Sequence, residues 1–193
     1  MPDPVAERQI RATLDAGDAP TAATTAIRAY GPAIAGYLRA VLRDEGAAEE
    51  VFGRFCEALW KGLVGFRGEA SFSTWAHKLA WSAAQRYLDD PYRRRAVRLE
   101  TAALQQVAAQ VYTSTRPGVT QERRDRVARL KQRLSPAEQT LLILRVDRKL
   151  PWREIADVMA HGETSGAEAA LRKRFERVKE KIKKLAAREG LLE

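Results

Sequence analysis

Two serine-to-glutamate boxes in the last third of the chain fix where helices must begin. Ser135-Pro136-Ala137-Glu138 puts a hydroxyl at the N-cap, proline at the first helical position and glutamate at N3. The serine oxygen takes the N3 amide and the glutamate returns to the N-cap amide. Proline has no N–H to leave unsatisfied. Leu141, Leu142 and Leu144 follow. A second helix opens at Pro151, with Trp152, Ile155, Ala156 and Met159 spaced i, i+3, i+4, i+7. Ser165-Gly166-Ala167-Glu168 is the second box. Behind it Leu171, Phe175, Val178, Ile182 and Leu185 form an apolar stripe. The other faces carry Arg172, Lys173, Arg174, Arg177, Lys179, Lys181, Lys183, Lys184 and Arg188 against Glu176 and Glu180. Two capped helices and a long basic one are the layout of a helix-turn-helix.

The helical period runs through the rest of the chain, and no segment alternates as a strand does. Residues 6–17 read as a short helix ending at Gly17. Residues 20–43 read as one long helix or a pair, with Ile27, Tyr30, Ile34, Tyr37, Leu38, Val41 and Leu42 inward. Gly31-Pro32 is expected to interrupt it or start a new turn. Residues 47–64 turn Val51, Phe52, Phe55, Leu59 and Leu63 inward. A loop, Gly65 to Ser71, leads to a helix from Phe72 to about Asp89, stopped by Pro91. Arg93-Arg94-Arg95 follows. Residues 96–120 combine a weak helix, Leu99 to Val111, with Thr113-Ser114-Thr115-Arg116-Pro117-Gly118, a linker composition. The expected architecture is all-α. Two small helical domains, 6–95 and 121–190, are joined by a linker over 96–120.

Composition narrows the function. A net charge of +9 favours a polyanionic partner. No apolar run approaches the roughly 20 residues of a membrane span, and the polar start of the chain lacks a signal-peptide core. Membrane insertion is not expected, and the cytoplasm is the expected location. Cys56 is the only cysteine, and His77 and His161 are the only histidines. Neither a disulfide, a metal site, a phosphate loop nor a catalytic pair is indicated, so neither enzyme activity nor a cofactor is expected.

The string Phe66-Arg67-Gly68-Glu69-Ala70-Ser71-Phe72-Ser73-Thr74-Trp75 follows Ala58-Leu59-Trp60, with Ala48-Glu49-Glu50-Val51 upstream. It resembles the second conserved region of the extracytoplasmic-function sigma factors of bacterial RNA polymerase. Leu134 to Leu185, with Glu154-Ile155-Ala156 and Leu171-Arg172-Lys173-Arg174, resembles their fourth region. Leu14-Asp15-Ala16-Gly17-Asp18 is similar to the family's opening.

The resemblance implies a promoter-specificity factor with no catalysis of its own. The N-terminal domain would bind the clamp of core polymerase through Glu49, Glu50 and Arg54. It would open the minus-ten element with Arg67, Lys78, Trp81, Ser82, Gln85, Arg86 and Arg93. The C-terminal domain would read the minus-thirty-five element with Arg153, Arg172, Lys173, Arg174 and Arg177. An anti-sigma inhibitor is a further expected partner.

Each assignment has a plainer alternative. Trp81 sits among polar side chains, where it either packs on a neighbour or stacks on an unpaired base, a contact worth about 1–3 kcal/mol. The resemblance favours the stack. Trp75 lies on the apolar stripe and reads as core. The basic helix is either a solvated face or a phosphate grip. Three positions depart from the family: Gly53 stands where glutamine is usual, Glu50 where aspartate is usual and Ser82 where asparagine is common. His161 to Thr164 makes the helix-turn-helix turn longer than the norm. A DNA-binding regulator that does not recruit polymerase, a helical adaptor and an RNA-binding module stay open as rivals.

Overall fold

Asp18 and Asp44 start the long helices of the N-terminal part. In a computed structural model, which describes residues 4–89, 102–114, 133–160 and 166–188, the Asp18 carboxylate accepts the Thr21 N–H at 3.1 Å. Asp44 accepts that of Ala47 at 2.6 Å. Each satisfies one amide the helix itself cannot. Helix α1 (Pro4–Asp15), α2 (Ala19–Leu42), α3 (Glu45–Gly62), a 3₁₀ turn (Leu63–Gly65) and α4 (Phe72–Asp89) follow in order. Every described element is helical, so the fold is all-α. The chain divides into two units, Met1–Arg116 and Pro117–Glu193.

Helix α2 is central to the first unit and packs on α1, α3 and α4. It does not break at Gly31-Pro32, contrary to expectation. Pro32 removes one i→i−4 bond, but Tyr30, Gly31, Ile34 and Ala35 are all buried around it, and that packing outweighs the loss. Ile27, Ile34, Leu38, Val51, Phe52, Phe55, Leu59 and Leu63 are each at most 2 % exposed, as their spacing predicts.

Part of the expected linker is a fifth helix of this unit. Helix α5 (Ala102–Ser114) packs on α2 and α3, burying Val107, Ala108, Val111 and Tyr112. The segment 96–120 is therefore not all spacer. Arg39 is the anchor. Its Nη2 donates to the Tyr112 carbonyl at 2.8 Å and its guanidinium lies 3.9 Å from the Tyr112 ring centre. Its Nε meets Glu45 at 3.1 Å. The Tyr112 hydroxyl donates to the Glu45 carbonyl at 3.1 Å. Gly31 permits the approach, because a Cβ there would sit 2.7 Å from Val111 Cγ1.

Burial raises the Tyr112 hydroxyl to about 12, against the lowering effect of Arg39. The proton is held more tightly in the folded state, so its contribution is intact below about pH 10 and fades as pH rises towards 12. Tyr112→Phe should cost about 1 kcal/mol at neutral pH and flatten that alkaline loss. Urea unfolding at pH 7, 10 and 11.5 measures both.

In the second unit the first capping box forms in full. Glu138 N–H donates to Ser135 Oγ at 3.2 Å and Ser135 N–H to Glu138 Oε2 at 2.7 Å. Helix α6 (Pro136–Leu142) runs into a π-helical turn (Ile143–Asp147). The chain then reverses at Lys149, whose φ of 56° lies in the left-handed region, and Leu150 N–H donates to the Leu144 carbonyl at 3.0 Å. Helices α7 (Trp152–Met159) and α8 (Ala167–Arg188) follow. Leu134, Leu142 and Val178 form a core cluster with Phe175 and Ile182 against it.

Lys181 Nζ reaches Glu138 Oε2 at 2.8 Å and ties α8 to α6. Burial raises the Glu138 pKa, but bonds from Lys181 and Ser135 outweigh it and leave the carboxyl below its ordinary value. This tie is present above the ordinary carboxylate range and is lost as pH falls through it. The second box, with Ser165, and the turn His161 to Thr164 lie outside the described residues.

Candidate nucleic-acid interface

In the first unit the loop before α4 is held by aromatic stacking. Phe66 lies 5.2 Å from Phe72 and 5.1 Å from Trp75, and those two are 5.2 Å apart. Trp75 thus packs, as its place on the apolar stripe predicts, although it is only half-buried. Ser71 caps α4: its Oγ accepts the Thr74 N–H at 3.1 Å. Glu7 of α1 accepts the Phe72 N–H at 3.1 Å and the Tyr30 hydroxyl at 3.3 Å. A carboxylate at a helix N-terminus also complements the positive end of the dipole.

Along α4, Lys78 and Arg86 are exposed and Ser82 and Gln85 half-buried. Spacings of three and four residues put all four on one face. Arg67 is exposed on the loop. Trp81 does not join them. It is 3 % exposed, alongside Thr74 at 1 % and His77 at 2 %, so its assignment to base stacking is corrected to packing. The physical reason is that α4 packs on both α2 and α3, which buries more than one apolar stripe. His77 Nδ1 lies 2.7 Å from the Ser73 carbonyl, and its ring meets Tyr37 edge-on at 5.8 Å. The His77 Nδ1–H is thus used inside the bundle, whereas the Trp81 indole N–H is buried without a hydrogen-bond partner among the described residues; hydropathy alone assigns both side chains outside. Arg93 lies outside the described residues, as do Arg94 and Arg95.

On α3, Glu49 is exposed, whereas Glu50 and Arg54 are bonded to each other at 2.5 Å with side chains 18 % and 20 % exposed. The Arg54 guanidinium also lies 5.8 Å from the Tyr87 ring centre. Of the three expected polymerase contacts, only Glu49 is an open charge. A Cβ built on Gly53 meets nothing within 4 Å. Gly53→Ala should therefore gain roughly 1 kcal/mol through helix propensity and a less flexible unfolded chain. Thermal unfolding checks this.

In the second unit Arg153, Arg172, Lys173, Arg174 and Arg177 are all exposed. Arg172 pairs with Glu168 at 3.4 Å and lies 5.7 Å from the Trp152 ring centre. Trp152 in turn meets Phe175 edge-on at 5.6 Å and Arg145 at 4.8 Å. Sequence periodicity did not single out Arg145; its approach to Trp152 depends on the chain reversal at Lys149. Lys179 pairs with Glu176 and Lys181 with Glu138, so the cations of α8 divide. Lys173, Arg174 and Arg177 have no carboxylate partner among the described residues. They project from the N-terminal half of the helix.

Among the described residues no group of His, Cys, Asp or Glu is placed to hold a metal ion, and no helix is long and apolar enough to cross a membrane. The Cys56 thiol is buried and shifted far upward by desolvation. That leaves it a poor nucleophile.

Residues 26–95 match the family model for sigma-70 region 2. The match covers α4, α3 and most of α2. Helices α1 and α5 and the whole second unit lie outside it. No curated protein and no solved structure matches the chain.

Proposed function

We propose that this chain is a sigma factor of the extracytoplasmic-function kind, which binds core RNA polymerase and directs it to a specific set of promoters. The observation that carries the reading is the sigma-70 region 2 match over the helices that bear the exposed cationic face. The first unit engages core and the minus-ten element; the second reads the minus-thirty-five element. The chain supplies recognition and strand separation, and the polymerase supplies the chemistry, in the cytoplasm where the polymerase works.

The residues divide the task. Arg67, Lys78 and Arg86 neutralise phosphates along the opened strand, and Ser82 and Gln85 offer hydrogen-bonding groups between them. The short Phe66–Ser71 loop, fixed by its aromatic anchor, is the place where a base leaves the stack. On α8, Arg172, Lys173, Arg174 and Arg177 approach base edges and flanking phosphates in the major groove, and Arg153 reaches phosphate from the start of α7. An anti-sigma protein remains part of this proposal as a second partner.

One observation favours a second reading. With Gly53 open and Glu50 tied to Arg54, only Glu49 of the three expected polymerase contacts on α3 is an open charge. A regulator that binds DNA unaided would look the same. Titrating labelled promoter DNA with the protein, with and without core polymerase and at several salt concentrations, separates the two. The sigma reading expects tight, discrete binding only with core. Equal binding without core would replace it with the regulator.

A further inference from the structure

Helix α1 lies outside the sigma-70 region 2 match, yet it holds the loop on which the proposed function turns. Two contacts do this. Glu7 accepts the Phe72 N–H, fixing the first turn of α4 at the point where the loop ends. One helical turn further on, the Arg11 guanidinium lies directly on Gly68 at the centre of the loop. Gly68 has φ 72°, and any side chain there would run into Arg11 Nη2. A left-handed glycine is usually explained by its turn alone; here the missing Cβ also leaves room for a cation.

That cation is uncommitted. Arg11 is exposed and has no carboxylate partner among the described residues, and the same holds for Arg67 next to Gly68. The loop's own carboxylate, Glu69, is exposed and bonded to neither. A guanidinium from α1 therefore lies on the loop that carries a second exposed arginine, Arg67. Among the described residues no carboxylate compensates either charge, and a polyanion laid across the loop would do so.

We infer that Arg11 is a nucleic-acid contact, gripping a phosphate of the single strand beside the base that the loop receives. This rests on the proposed function and adds α1 to the recognition surface. A phosphate needs no sequence, so Arg11 sets affinity and salt dependence and leaves base preference to the loop and α4.

The test uses the full chain bound to core polymerase. The probe is a fluorescent forked DNA whose non-template strand is single-stranded across the minus-ten element, taken from a promoter this protein transcribes. Affinity is measured from low to moderate salt. Arg11→Ala should weaken binding about 5-fold and reduce the salt slope by about 0.7, the value for one single-strand phosphate. Arg11→Lys, which keeps the charge, should stay within about twofold of wild type. An unchanged slope in Arg11→Ala, with a reduced slope in Arg67→Ala, would overturn the inference and leave the proposed function standing. Equal losses in Arg11→Ala and Arg11→Lys would reduce Arg11 to a buttress of the loop and also overturn it. Failure of the complex to hold forked DNA better than core alone would defeat the inference and the proposed function together.

Discussion

Replacing Trp81 with alanine should cost about 3–5 kcal/mol of stability, the usual range for emptying a buried tryptophan site. The indole is 3 % exposed and lies inside the bundle with Thr74, His77 and Ala84. Urea unfolding should show a lower midpoint with little change in slope. Duplex binding and promoter opening should then fall together, in proportion to the folded fraction. Trp81→Phe should cost much less. The indole N–H is buried with no hydrogen-bond partner among the described residues, so phenylalanine removes an unsatisfied donor and keeps most of the apolar volume. A folded Trp81→Phe protein that lost opening alone would restore the base-stacking role.

The other large effect is expected in the second unit. Changing Arg172, Arg174 and Arg177 together to alanine should weaken promoter binding roughly 100-fold or more at moderate salt. It should also reduce the salt slope by about 2.7, which is about 0.9 for each duplex phosphate released. The three side chains are exposed. Only Arg172 has a carboxylate close by, and an exposed pair of that kind contributes about 0.3–0.5 kcal/mol. The melting temperature should therefore barely move. Lys181→Ala is the opposite control: it breaks the tie to Glu138, so it should lower stability and leave the slope nearly unchanged. If the triple variant keeps its slope, α8 is a solvated face and the helix-turn-helix assignment fails.

The contrast between Trp81 and Lys173 shows what was legible in the chain. Helix positions were readable because caps and apolar spacing are local: the Ser135–Glu138 box, the α3 stripe and the α4 limits all appear where the spacing puts them. Exposed cations were readable too, since Lys173, Arg174 and Arg177 follow from helix phase alone. Sequence pattern and structure part where three-dimensional neighbours decide. Trp81 was placed outward because its face carries polar residues. The second neighbour of α4 and the bond from His77 to the Ser73 carbonyl make that face internal. Helix α5 was assigned to the linker because its apolar pattern is weak; its stability comes from Arg39, Glu45 and the gap at Gly31, more than 60 residues away in sequence. Pro32 stays within α2 for the same reason, because the buried residues around it hold the helix together. Arg11 gave no signal, because only the contact with Gly68 distinguishes it from other surface arginines.

The most direct measurement is to combine the purified protein with bacterial core RNA polymerase and transcribe genomic fragments that include the region upstream of its own coding sequence. The account predicts a stable complex with core and discrete new transcripts that neither component makes alone. Their start sites would then define the promoter elements that the two units read. A folded protein that binds DNA yet neither associates with core nor yields transcripts would contradict the account, with Gly53 and the closed Glu50–Arg54 pair as the physical reason.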